Sequence, residues 1–290
     1  MTELPVRMIA MDMDGTLLTH CSDGPSYISR ANLAALRLAH ERGIVTVIAS
    51  GRMPDDAGAF AVDARLPMAI LSLNGACIQR EAMGPIVKSS PLPGDAAARV
   101  WHRALAMGLE VGLFGGHTLV TSRPLETEAD WNRWGTWLRR PGTRCVVRDR
   151  GQGAEELLSA GAHKLVLLAD TEEPLPLLKK ELEATEPELE ISSSWARNLE
   201  VNARGVHKGM ALRQLAEELH IPMNRVMAIG DNGNDIPMLR EAGIGVAMGN
   251  GTAETKAACG WVTRTVGEDG VAAAIRHLAL GLPERGVMPQ

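Results

Sequence analysis

The chain has 290 residues, 45% of them hydrophobic and 22% charged, a balance that fits a globular protein and excludes a disordered or fibrous one. Its net charge of −5 offers no basic surface for nucleic acid, so an anionic substrate would have to be met by a local positive centre. Two Phe, one Tyr and six Trp leave the core to Ala, Leu, Val, Ile and Met.

Val6–Met11 (VRMIAM) is predicted as a buried strand. Ser29–Glu41 follows as a helix, with Ser29 as N-cap, apolar positions at Leu33, Leu36 and Leu38, and Gly43 to end it. Ile44–Ala49 is a second strand, rich in β-branched residues, and Pro54 confines the next helix to a start after Met53. Met68–Leu73 is a third apolar run. Alternating strands and helices, with strands apolar on both faces, argue for a parallel sheet covered on both sides.

From Gly84 to about Trp195 the pattern changes. Candidate strands at Glu110–Phe114, Thr118–Thr121 and Lys164–Leu168 alternate with helices at Asp95–Met107, Glu126–Leu138 and Pro174–Ala184. The Pro- and Gly-rich stretch GPIVKSSPLPGD marks its entrance. We read residues 84–195 as an inserted α+β domain, and 1–83 with 196–290 as the domain that receives it. Trp131, Trp134 and Trp137 fall at i, i+3 and i+6, which suits a packed helix face or a platform for stacking a substrate. The first pattern then returns: helix at Lys208–Leu219, strand at Arg225–Ile229, short helix at Asp235–Glu241, strand at Ile244–Met248, helices at Ala253–Ala258 and Gly270–Leu280, and a loose tail.

No apolar run approaches about 18 residues, and MTELPVRMIAMDMDG lacks a secretion-signal pattern. No membrane segment is expected, and the expected location is the cytoplasm. Cys21, Cys77, Cys145 and Cys259 form no CxxC pair, which predicts free thiols rather than a zinc knuckle or redox dithiol.

The chemistry gathers at strand ends. The first strand runs into Asp12-Met13-Asp14-Gly15-Thr16, the second into Ser50-Gly51-Arg52, and the late strand into Gly230-Asp231-Asn232-Gly233-Asn234-Asp235. Lys208 lies just before a helix. In open α/β sheets the crevice beyond the strands' carboxyl ends is where ligands bind, so these segments are expected to meet there. Asp12, Asp14, Asp231 and Asp235 in one crevice would repel one another and partly protonate unless a cation compensates. Oxygen donors without His or Cys suit a hard divalent ion, Mg²⁺ first. Ser50 and Gly51 read as a phosphate clasp, Lys208 as a further positive centre. The pattern is neither an EF-hand, whose glycine stands at the sixth position, nor a Walker A loop. With no Ser-His or Cys-His pair evident, the nucleophile is an aspartate: Asp12 attacks phosphorus, and Asp14 moves protons to the leaving oxygen and from water.

DMDGTLL, IASGR, GVHKGMAL and GDNGND together resemble the four motifs of the haloacid dehalogenase (HAD) superfamily, and the long insertion is similar to the C2 cap of its Cof-type, class IIB phosphatases. The resemblance implies a Rossmann-like core and a magnesium-dependent phosphatase acting on sugar phosphates or related small phosphorylated metabolites. It implies Asp12, the carbonyl of Asp14, and Asp231 as metal ligands. It also implies that Ser50, Gly51, Lys208, Asn234 and the backbone N–H of Met13 contact the phosphate, and that Asp235 orients Lys208 or a metal-bound water. Two other readings use the same acids, a phosphosugar mutase and a phospho-acceptor module without turnover. The stretch THCSDGPSYIS after the first motif is longer than the short connection the resemblance implies.

Overall fold

The computed structural model describes residues 6–21, 24–134, 143–193 and 196–289. Strand β1 (Met8–Met11) is central to a nine-stranded sheet. To one side it pairs in parallel with β4 (Val45–Ala49), which pairs with β5 (Ala69–Ser72). To the other side lie β14 (Val226–Gly230), β15 (Ile244–Ala247) and β16 (Trp261–Val262), all parallel. The chain thus winds outward in opposite directions from β1, so the switch in strand order falls between β1 and β14. Antiparallel strands finish both edges: β6 (Cys77–Gln79) with β7 (Ile86–Ser89), and β17 (Met288–Pro289).

Burial follows the pleat. Ile9 and Met11 face a cluster built with Ala35, Leu36 and Ala39 of α1 (Arg30–Glu41) and with Ala57, Phe60 and Ala61 of α2 (Pro54–Ala64). Met8 and Ala10 face Ala211, Leu212 and Leu215 of α7 (Lys208–Glu218) and Met238 and Leu239 of α8 (Ile236–Glu241). A strand buried on both faces has no polar alternation to display, which is why these strands read as continuous apolar runs. Ser29 caps α1 as expected, its hydroxyl accepting from the Asn32 N–H at 3.1 Å, and Pro54 opens α2 behind Met53.

The second sheet has six strands: β8 (Glu110–Gly115), β9 (Thr118–Thr121), β10 (Val146–Arg148), β11 (Lys164–Leu168), β12 (Leu189–Ser192) and β13 (Asn198–Ala203). Its pairings are antiparallel except β9 with β10. Leu113, Leu165, Leu167, Leu199 and Val201 pack on helices α3 (Gly94–Ala106), α5 (Ala154–Ala160) and α6 (Pro174–Thr185). The opposite face carries Phe114, Leu119, Val166 and Leu168, which pack on Met53, Leu73, Ala76, Cys77 and Val206 beside the larger sheet. Trp131 and Trp134 of α4 (Glu128–Trp134) join this cluster, and Trp134 donates its indole N–H to Glu110 at 2.8 Å. Trp137 and the end of the expected Glu126–Leu138 helix lie outside the described residues.

Ile86–Ser89 belongs to the larger sheet because it pairs with Cys77–Gln79, and Asn198–Ala203 belongs to the smaller sheet because it pairs with β11 and β12. The long connection after the first motif is a hairpin, β2 (Leu18–Cys21) and β3 (Gly24–Ile28). The expected Gly270–Leu280 helix is α-helical only to Ala274 and widens to a π-turn over Ile275–Ala279. The tail is not loose to its end, since Met288–Pro289 pairs with Trp261–Val262. Among the described residues, Cys77, Cys145 and Cys259 are free thiols, and no helix is long and apolar enough to cross a membrane.

Leu119 is fully buried where the two sheets meet. Leu119→Ala is expected to lower the unfolding free energy by about 2–4 kcal/mol, read as a lower urea midpoint with an unchanged m value.

Candidate active site

Asp12 extends the ladder of β1, its N–H donating to the Ile229 carbonyl at 3.0 Å. Strands β1 and β14 are in register at Met11 and Ile229, so the acids that follow each strand emerge side by side at the switch in strand order. Beyond Asp12 the chain must turn at once. Gly15 does this at φ +79°, and a Cβ there would stand 2.5 Å from Asp231 Oδ2; glycine is required by both conformation and space. Thr16 Oγ1 then donates to Asp231 Oδ1 at 2.6 Å, and Asn250 Nδ2 donates to the Gly15 carbonyl at 2.8 Å.

Lys208 is wholly buried, and its Nζ donates to Asp12 Oδ1 at 2.5 Å and to Asp235 Oδ1 at 2.6 Å. The other oxygen of Asp235 accepts the N–H groups of Asp231 at 2.9 Å and Asn232 at 3.0 Å. Asp235 therefore holds both the lysine and the turn that carries Asp231. Burial opposes the charge on Lys208, but Asp12 and Asp235 outweigh it and hold the ammonium well above its usual range. Burial also pushes Asp12 well up, against the pull of Lys208, and Asp235, Asp231 and Asp14 add to the rise. Burial raises Asp231 to about 6, with Asp235 and Asp14 pushing the same way.

Carboxylate oxygens of Asp12, Asp231 and Asp235 lie within 4.8 Å of one another. This is an oxygen-only donor set whose raised acids one lysine does not offset, and a hard divalent cation fits it. Both oxygens of Asp235 are already engaged, one by Lys208 and the other by two backbone N–H groups.

The Asp14 carboxylate lies apart from that trio, gripped at both oxygens by Arg52 through Nε at 2.7 Å and Nη2 at 2.6 Å. The third nitrogen of Arg52 reaches Asp56 at 3.1 Å, and the guanidinium lies 5.5 Å from the centre of the Phe60 ring. Burial raises Asp56 to about 6, although Arg52 opposes the shift. Ser50 and Gly51 follow β4. The Ser50 N–H donates to the Leu71 carbonyl at 2.8 Å, and Ser50 Oγ accepts from the Arg52 N–H at 3.2 Å. Asn234 sits half-buried in the 3₁₀ turn Gly233–Asp235, and the Met13 side chain is buried under the turn.

Asp12, Asp231, Asp235 and Lys208 thus come together, Asp14 stands apart on the Arg52 fork, and Ser50 is linked to Arg52 through the Arg52 N–H. The residues missed by sequence reasoning are Arg52, Thr16, Asp56 and Asn250. Arg52 carried a signal, since it directly follows Ser50-Gly51 at a strand end.

A family model described as haloacid dehalogenase-like hydrolase matches residues 9–275. A 5-amino-6-(5-phospho-D-ribitylamino)uracil phosphatase of Bacillus subtilis is 31% identical over 278 residues, covering 96% of this chain and 98% of the relative. A crystal structure of a haloacid dehalogenase-like hydrolase from Bacteroides thetaiotaomicron superposes with a TM-score of 0.77 at 28% identity, covering 93% of this chain and 98% of that one. A solved HAD subclass IIB sugar phosphatase gives 0.78 at 25% identity, covering 94% and 98%. The chain belongs to the haloacid dehalogenase-like hydrolases, in the Cof-type, subclass IIB branch, and is a phosphatase of phosphorylated small molecules.

Lys208→Met would leave the Asp12 and Asp235 carboxylates buried without their cation. In chelator the variant is expected to lose about 3–5 kcal/mol of stability, measured by urea unfolding. A carboxyl whose folded pKa is raised stabilises the fold at low pH and loses that contribution as pH rises. The deficit of Lys208→Met relative to wild type is therefore expected to narrow as pH is lowered and Asp12 takes up its proton.

Proposed function

We propose that this phosphatase is Mg²⁺-dependent and releases phosphate from a small phosphorylated metabolite, a sugar phosphate or a related ester, through an aspartyl-phosphate on Asp12. The observation that carries the reading is the buried contact of Lys208 with Asp12. It opposes the protonation that burial and three neighbouring carboxylates favour at Asp12, and so favours the carboxylate that a nucleophile needs. Among the described residues, no hydrogen bond engages Asp12 Oδ2.

In the first step a carboxylate oxygen of Asp12 attacks phosphorus and the bond to the ester oxygen breaks. The leaving oxygen takes a proton from Asp14. In the second step Asp14 accepts a proton from water, the oxygen attacks phosphorus, and the Asp12 carboxylate is restored as phosphate departs. Arg52 holds Asp14 as the carboxylate, the form that the second step uses. The fork has to loosen for Asp14 to carry a proton in the first.

Ser50, Gly51, Asn234 and the Met13 N–H are the groups this reading assigns to the phosphoryl oxygens, with Lys208 as the positive charge beside Asp12. A bound Mg²⁺ would supply charge neutralisation for the phosphoryl oxygens, held by Asp12, Asp231 and the Asp14 carbonyl. The smaller sheet and its helices serve as a cap that shields the crevice from water. The named activities of the relatives, on a phosphoribitylaminouracil and on sugar phosphates, support the substrate class. That the relatives turn over their esters disfavours a phospho-acceptor module.

Asp12→Asn is expected to abolish hydrolysis of an aryl phosphate, with phosphate release falling by at least about 10³-fold, while circular dichroism stays unchanged. Chelation of the wild type is expected to stop hydrolysis and added Mg²⁺ to restore it, followed by released phosphate. An Asp12→Asn enzyme near wild-type rate would remove Asp12 from the nucleophile's role.

A further inference from the structure

The three carbonyls of Ser50, Gly51 and Arg52 are each held by a donor. The Asn74 N–H donates to the Ser50 carbonyl at 3.0 Å and the Leu73 N–H to that of Arg52 at 2.9 Å. The third donor crosses from the smaller sheet: Lys164 Nζ donates to the Gly51 carbonyl at 3.0 Å. In a trans peptide the C=O of one residue and the N–H of the next point in opposite directions. Fixing the Gly51 carbonyl therefore fixes the Arg52 N–H, which lies on Ser50 Oγ at 3.2 Å. That bond occupies a lone pair of the hydroxyl and leaves its proton for an anion.

The support behind this segment also comes from the smaller sheet. Leu73 and Asn74 stand at φ 51° and 60°, a conformation that residues with a Cβ keep only where their surroundings enforce it. Asn202 Nδ2 donates to the Leu73 carbonyl at 3.1 Å, and Asn74 Nδ2 donates to Glu200 Oε2 at 2.6 Å. Glu200 also pairs with Lys164 at 3.1 Å, both side chains being almost wholly buried. Among the described residues, no hydrogen-bond partner meets the buried Asn74 Oδ1. A Cβ on Gly51 would stand 2.9 Å from it and 3.1 Å from Lys164 Nζ, so only glycine lets the two groups close on the clasp. Burial lowers the pKa of Lys164, Glu200 opposes this, and the charge of Lys208 lowers it further.

A buried lysine is costly unless paired, and here its pairing serves the backbone that the phosphatase reading assigns to the phosphate. We propose that Lys164, supported by Glu200 and Asn202, is a positioning residue that couples docking of the smaller sheet to the shape of the Ser50–Arg52 clasp. With Lys164 on the Gly51 carbonyl the clasp presents its donors to a phosphoryl group; without it the segment relaxes. The proposal rests on the phosphatase reading above and deepens it, because the clasp is complete only when the cap is seated.

The test uses Lys164→Met and the double variant Lys164→Met/Glu200→Gln, which removes the carboxylate that the single change would leave unpaired. Orthovanadate binding in the presence of Mg²⁺ is measured by calorimetry, alongside kcat and KM on an aryl phosphate and the melting midpoint. Both variants are expected to bind vanadate about 10- to 100-fold more weakly, with kcat reduced by a similar factor. The double variant is expected to keep the wild-type Mg²⁺ affinity measured without substrate. A merely structural role would lower the midpoint and leave kcat and vanadate affinity intact below it. A folded double variant with wild-type vanadate affinity and kcat overturns the proposal. A wild-type chain that binds vanadate but releases no phosphate contradicts the phosphatase reading instead, and the vanadate comparison then still decides the role of Lys164.

Discussion

Like-charge crowding governs this molecule. Three carboxylates converge within 4.8 Å at the mouth of the central strands, and the one lysine that meets them, Lys208, is wholly buried between Asp12 and Asp235. Removing one partner from such an arrangement leaves a charge without compensation in a medium that solvates it poorly. The surrounding turns are shaped by that demand. Asp235 spends one oxygen on Lys208 and the other on two backbone N–H groups, Thr16 braces Asp231, and Gly15, having no Cβ, leaves the space that Asp231 occupies. The negative charge that Lys208 leaves uncompensated is what a divalent cation would offset.

Topology makes the crowding possible. Asp12 and Asp231 come from segments more than two hundred residues apart, yet they leave neighbouring parallel strands whose register matches Met11 to Ile229. The position is the switch in strand order, where outward winding to both sides opens a crevice. The smaller sheet meets the larger one in two layers of contact. One is apolar, from Phe114, Leu119, Val166 and Leu168 onto Met53, Leu73 and Ala76. The other is polar, through Lys164, Glu200 and Asn202 onto Gly51, Leu73 and Asn74. The apolar layer gives cohesion, and the polar one gives register between the sheets at the site.

The sequence shows the chemistry more fully than the architecture. Asp12, Asp14, Ser50, Gly51, Lys208, Asp231 and Asp235 each sit at an apolar strand's end or a helix's start, and such placement is visible without coordinates. Strands β9 and β11 carry continuous apolar or β-branched runs and were readable to the residue. By contrast β12 and β13 alternate. In NLEVNA only Leu199 and Val201 meet helices, while Glu200 and Asn202 point to the other sheet; the polar half of the pattern conceals a strand whose polar face is buried. Arg52 stood in a strand-end segment expected at the crevice, but its role was not legible. A single arginine after a turn is ordinary until its fork is seen to hold Asp14 and Asp56 together. Lys164 reads as one polar residue at the start of a strand, and its partners on Gly51 and Glu200 arise only from folding.

Covalent capture of phosphorus by Asp12 is the centre of the account. The most direct measurement is intact-mass and peptide mass spectrometry of an Asp14→Asn enzyme quenched in acid during turnover of an aryl phosphate. Without the proton carrier, water attack slows and the phosphorylated enzyme accumulates; the account predicts one phosphoryl group, carried on the peptide at Asp12. Stoichiometric release of phosphate in the first turnover, with no phosphoryl group on that peptide at any quench time, would contradict it.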